Sequence, residues 1–248
     1  MRRFWTHACF IAVVGASINS SDFARATSVA ISRMGEKTVC NGWAVDADVV
    51  ATAAHCILRP GHYTISTGTT VYQAYRSWIH PEYSTELFFH FSLGAQELNP
   101  DLALLRIIQK DFVTGGEKID QSNGRALPRA SILYAVRPIA PNLTDSSRRN
   151  IEEIGYDSIQ YRDHGMLISN AGKPYQICQE DSGTPLYAGA GSERTVVGVI
   201  VGNRRQYKGR SEAAFCGNEL HVITASVVVK FVDFVRAHKE GNRPWMPR

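Results

Sequence analysis

A chain of 248 residues, 44% hydrophobic and 20% charged, is long enough for one large all-β domain or two smaller ones. This composition excludes a disordered, fibrous or collagen-like chain. The formal net charge of +4 carries no basic stripe, so no nucleic-acid partner is expected. The cluster Arg204, Arg205, Lys208 and Arg210, with Glu212 close behind, reads as a solvated loop.

Taken from the start, Arg2 and Arg3 precede an apolar run from Ala8 to Ala16, with small residues suited to a signal-peptidase cut. A leader over residues 1–16 and a secreted or periplasmic mature chain are therefore expected. Its removal deletes two basic residues and no acidic ones, leaving 25 against 23, or +2. No other run approaches the roughly 18 apolar residues of a membrane span, so the mature form is expected off the membrane. Short β-branched or alternating runs follow at Ser28–Ser32, Cys40–Val45, Tyr63–Ser66, Leu102–Ile108, Ile132–Val136, Thr195–Val201 and Leu220–Thr224. Turn-forming pairs such as Gly115-Gly116 and Asn123-Gly124 separate them, which predicts an all-β sandwich or barrel. Residues 121–147, with Pro128, Pro138 and Pro141, form the expected junction between units over 17–138 and 139–248. The stripe Val227, Val228, Phe231, Val232, Phe234, Val235 predicts a closing helix over Ser226–His238, with Ser226 as its N-cap.

Cys9 falls in the leader, and Cys40, Cys56, Cys178 and Cys216 remain. Export permits disulfides, and four cysteines allow three pairings. No CxxC spacing points to zinc. Neither a metal nor a cofactor is expected. The sequon Asn142-Leu143-Thr144 matters only in a eukaryotic secretory route.

Three motifs carry chemistry. They are Thr52-Ala53-Ala54-His55-Cys56, Pro100-Asp101-Leu102-Ala103-Leu104-Leu105, and Cys178-Gln179-Glu180-Asp181-Ser182-Gly183-Thr184-Pro185-Leu186. A serine hydroxyl is a weak nucleophile until an imidazole takes its proton, and the imidazole needs a buried carboxylate to fix its tautomer. The motifs, in this order, are similar to the TAAHC, D-[IL]-A-L-L and CQGDSGGPL boxes of the trypsin-like (chymotrypsin) family of serine proteases, in particular its secreted bacterial type.

The resemblance implies an all-β fold of two antiparallel six-stranded β-barrels with a C-terminal α-helix. It makes His55 the base, Asp101 its orienting carboxylate and Ser182 the nucleophile, with the backbone N–H groups of Glu180 and Ser182 as the oxyanion hole. It pairs Cys40 with Cys56 and Cys178 with Cys216. The implied substrate is a protein or peptide, and a monomer is expected. The same alignment puts Gln176 at the base of the primary pocket, Asn203 on its wall and His221 at its rear. Gln176 in place of an aspartate disfavours basic-residue specificity.

The pattern is broken in places. Glu180 stands where the family has glycine. It either holds its N–H under backbone strain of roughly 1–3 kcal/mol or lets the peptide turn away. Thr184 replaces the second glycine of the serine box, with a milder effect expected. Val13-Val14-Gly15-Ala16 resembles the family's activated N-terminus, which pairs with the aspartate before the nucleophile, here Asp181. Either Val13 is the mature terminus or Asp181 finds another partner. A weakly catalytic or inactive homologue acting as a protein-binding module is the alternative reading.

Overall fold

The computed structural model describes residues 28–34, 36, 38–67, 70–85, 99–108, 118–120, 127, 132–138, 151–170, 175, 177–189, 194–207, 210–213 and 217–237. The expected leader, Val13, Gln176, Cys216 and the Asn142 sequon lie outside them.

Strands β1 (Ser28–Arg33), β2 (Thr38–Asp46), β3 (Val49–Thr52), β4 (Tyr63–Ser66), β5 (Val71–Ile79) and β6 (Ala103–Ile107) close into a barrel in the order β1-β2-β3-β6-β5-β4. Every pair in it is antiparallel. Side chains alternate across a strand, so one face must fill the barrel. Ile31, Ala44, Val50, Ile65, Leu105 and Ile107 do so. On β5 the alternation is visible as exposed Val71, Gln73, Tyr75 and Ser77 between half-buried neighbours.

The second unit is built from β7 (Lys118–Ile119), β8 (Leu133–Val136), β9 (Ile151–Ile154), β10 (Ser158–Tyr161), β11 (Gly165–Ser169), β12 (Pro185–Ala188), β13 (Thr195–Tyr207), β14 (Arg210–Ala213) and β15 (Glu219–Thr224). Its sheet runs β10-β11-β15-β13-β12-β8-β9 and curls into a half-barrel, with β14 and β7 each added to β13. The pair β7–β13 is parallel. Strand β8 bonds to β12 in register Ala135↔Leu186, so the chain has entered the second unit before Leu133. Pro138 follows that strand by two residues.

Helix α1 (Ala225–Ala237) closes the chain. It starts one residue before the expected N-cap. Ser226 sits in the first turn, buried, with its hydroxyl 3.2 Å from that of Thr224. Its apolar stripe, Val228, Phe231, Val232 and Val235, joins a cluster drawn from both units, including Trp43, Leu102, Leu104, Tyr134, Val199 and Ile223. An ion pair from Arg236 to Asp46 and a ring contact of 5.0 Å between Phe231 and His80 tie the helix back to the first barrel. The two units thus share an apolar seam.

Candidate active site

Strand β3 ends at Thr52, and the chain turns through Ala53 into a 3-10 turn, Ala54–Ile57, that carries His55. Ala53 and Ala54 are fully buried, and a larger side chain there would collide with the core. Asp101 stands just before β6, and the carbonyl of Leu102 accepts from His80 N–H at 2.9 Å. The Asn99 side chain holds this approach, exchanging bonds with Ser84 backbone at 2.8 and 2.9 Å.

The two groups meet directly. His55 Nδ1 lies 2.7 Å from Asp101 Oδ2, and the backbone N–H of His55 donates to Asp101 Oδ1 at 2.9 Å. With its carboxylate 5% exposed, Asp101 holds the imidazole with Nδ1 as donor, which leaves Nε2 to accept a proton. Burial pushes the Tyr83 phenol well above its usual range, and the neighbouring Asp101 charge adds to this, so Tyr83 stays neutral beside the carboxylate.

The third residue follows a second 3-10 turn, Gln179–Asp181, that opens directly onto Ser182, which is 5% exposed. Gly183 comes next with φ +89°, and a Cβ there would lie 1.8 Å from the Asn41 carbonyl oxygen. Only glycine fits that approach. Ser182 is joined to the segment carrying His55 through β2. Asn41 N–H donates to the Ser182 carbonyl at 2.7 Å, and Cys40 before it is bonded to Cys56, the residue after His55.

Asp181 is buried and saturated. Arg137 Nε donates to its Oδ1 at 2.8 Å and Arg137 Nη2 to its Oδ2 at 3.2 Å, while Cys178 N–H donates to Oδ2 at 2.8 Å. Among the described residues the Arg137 side chain is the cation that Asp181 meets, and Val13 lies outside them. Arg137 was missed by sequence reading. Its only signal was a cation at the end of the apolar strand Leu133–Val136.

Glu180 lies inside the 3-10 turn with its side chain exposed. That turn has right-handed backbone angles open to any residue, so the glutamate is accommodated without left-handed strain. A 3-10 turn bonds N–H of residue i+3 to C=O of residue i. Asp181 N–H donates to Cys178 C=O at 2.9 Å.

Among the expected pocket residues, His221 is half-buried on β15, opposite Gly202 of β13, and Asn203 pairs with Leu220 in the same ladder. Gln176 falls outside the described residues. Cys178 is disulfide-bonded, and its expected partner Cys216 falls outside them too. Two residues before His221, Glu219 is 4% exposed and accepts from Ser169 Oγ at 3.3 Å. Nearby Tyr175 is pushed above the usual phenol range, chiefly by burial, with Asp157 and Glu219 adding to it. A charged residue opening an apolar strand was the available signal for Glu219.

The described residues contain one grouping of metal-binding side chains, Cys40, His55 and Cys56. Its two sulfurs are consumed by the disulfide, so the group offers no thiolate to an ion. The arrangement suits proton transfer instead, with an oriented imidazole and a buried hydroxyl beside a shared wall.

No curated protein matches the chain. A family model described as Trypsin matches residues 13–217.

Proposed function

Because the chain belongs to the trypsin family of serine peptidases, we propose that it is a secreted serine endopeptidase whose triad is His55, Asp101 and Ser182. Ser182 Oγ attacks the scissile carbonyl while His55 Nε2 takes its proton and returns it to the leaving amine. The acyl-enzyme is then hydrolysed by water activated by the same imidazole. Asp101 fixes the tautomer, and the bond between Asp101 and His55 Nδ1 at 2.7 Å is the observation that supports this reading most.

The oxyanion donors are the N–H groups of Glu180 and Ser182. In a 3-10 turn Glu180 keeps right-handed angles instead of those glycine allows, so substrate must open the turn before its N–H joins that of Ser182 at the oxyanion. One missing donor costs about 10²–10³ in kcat. The enzyme is accordingly slow, and replacing Glu180 by glycine makes opening easier. With Asp181 held by Arg137, activity does not require a free N-terminal amine. The leader over residues 1–16 and export beyond the cell belong to the same reading, as does a monomer acting on protein or peptide substrates.

Incubation of the exported protein with an unfolded protein substrate tests this. Cleavage that disappears in Ser182→Ala is expected. Cleavage that persists in that variant, or none at all from the parent, contradicts it, and the latter favours a protein-binding homologue.

A further inference from the structure

Both ends of one buried hydrogen bond fall on residues that depart from the resembling boxes. Asn41 follows Cys40 where the family continues with glycine, and Thr184 replaces the second glycine after the nucleophile. Asn41 Nδ2 donates to Thr184 Oγ1 at 2.9 Å, across 143 residues of sequence. Asn41 is 5% exposed and Thr184 is fully buried.

Asn41 is more than a packing partner. Its N–H donates to the Ser182 carbonyl at 2.7 Å, and its own carbonyl accepts from Thr52 Oγ1 at 2.7 Å. Thr52 begins the Thr-Ala-Ala-His segment that ends at His55. Thr184, for its part, is clamped from two sides. Its N–H donates to Asp181 C=O at 3.0 Å and its C=O accepts from Ile200 N–H at 2.8 Å. Gly183 N–H donates to Ile200 C=O at 2.6 Å. The chain around the nucleophile is therefore pinned behind by β13 and in front by Asn41. Asn41 thus touches the serine segment and the histidine segment at once.

We propose that Asn41 and Thr184 form a positioning pair that sets the placement of Ser182 relative to His55. Burial and the backbone bonds on both sides of Asn41 restrict the rotamers open to its amide, and its bond to the threonine hydroxyl helps hold Thr184 and the residues before it in register. Two glycines would leave the same loop to backbone contacts alone. Either substitution by itself would bury a polar group with nothing to bond. The pair is thus expected to act as a unit.

This inference rests on the serine-peptidase reading, and the test separates the two. Rates of Ser182 phosphonylation, kcat, KM and melting temperature are measured for the parent, Thr184→Ser, Thr184→Val, Asn41→Gly, Thr184→Gly and the double glycine variant. Thr184→Ser keeps the acceptor and should stay within about threefold of the parent in kcat. Thr184→Val and Asn41→Gly should each lower kcat and the phosphonylation rate by about tenfold or more, with KM nearly unchanged, since small misplacements of reacting atoms reach about 10² in rate. In the double glycine variant the loss should be clearly smaller than the product of the single losses. Should Thr184→Val not fold, the comparison of Asn41→Gly with the double variant carries the same expectation. Multiplicative losses, or melting temperatures that fall while kcat holds, overturn the positioning role and leave the peptidase reading standing. Absence of any Ser182 adduct in the parent overturns both.

Discussion

The segments that carry His55 and Ser182 are held in different ways. The His55 side is made locally. A short turn leaves β3, Asp101 enters just before β6, and β3 and β6 are neighbours in one closed barrel, in register Thr52↔Ala103. The Ser182 side belongs to an open, curled sheet, and its loop is fastened by side chains remote in sequence: Arg137 to Asp181 and Asn41 to Thr184. The first side follows the family's boxes almost letter for letter. The second departs from them at Glu180 and Thr184. The contrast teaches that a loop not built into a closed barrel is held by tethers from outside it.

The largest effect falls on the His55 side. Asp101→Asn should lower kcat by about 10⁴-fold, because the imidazole then loses the partner that selects its tautomer. Steady-state hydrolysis of a peptide ester or amide measures this, and an intact kcat would show that the Asp101 contact is structural only.

Next comes the tether of the second side. Arg137→Met leaves the Asp181 carboxylate buried without its cation, which costs about 3–5 kcal/mol of stability. Urea unfolding reads this directly, and activity should fall with it. Acetylating the N-terminus of the exported protein should change activity by less than about twofold. A large loss on acetylation would mean that an N-terminal amine, not Arg137, serves Asp181 in the working enzyme.

Glu180→Gly is the third test and should move the other way. With glycine the turn opens at less cost, and kcat should rise by about tenfold, within the range assigned to one oxyanion donor. A lower kcat would indicate that the 3-10 turn, not an opened form, is the active arrangement.

These outcomes bear on what could be read beforehand. Strands such as Tyr63–Ser66 were legible because each depends on a few adjacent residues, whereas the roles of His55 and Asp101 and the Cys40–Cys56 bond were legible only through the resemblance of their boxes. Strand β5 was not, since Val71–Ile79 mixes Gln73, Arg76 and Ser77 with apolar residues on a half-exposed face and lacks a clean apolar run. Strands β9 and β10 were hidden similarly: Ile151–Ile154 holds two glutamates, and both strands lie at the rim of the sheet. Arg137 and the Asn41–Thr184 bond were illegible for another reason. Pairings across 44 and 143 residues leave no periodic trace. Fold topology alone brings them together.

The smallest expected effect concerns the seam between the sides. Burial lowers the His80 pKa below its ordinary 6.5, with His164 lowering it further and Glu82 opposing. The folded state therefore binds fewer protons than the unfolded chain just below that value. Stability is fully present above about pH 6.5 and declines as the pH falls through 6.5 toward the lowered folded value. Melting curves of the parent and His80→Gln should converge in slope above that window and differ within it. Equal slopes throughout would remove His80 from the seam's pH response.

The central claim is that His55 activates Ser182 in one assembled site. Intact-mass and peptide mapping after exposure to a fluorophosphonate measure it most directly. A single adduct on Ser182 in the parent, absent in His55→Ala, is predicted. An adduct that forms equally fast without the imidazole, or that maps to another residue, would contradict it.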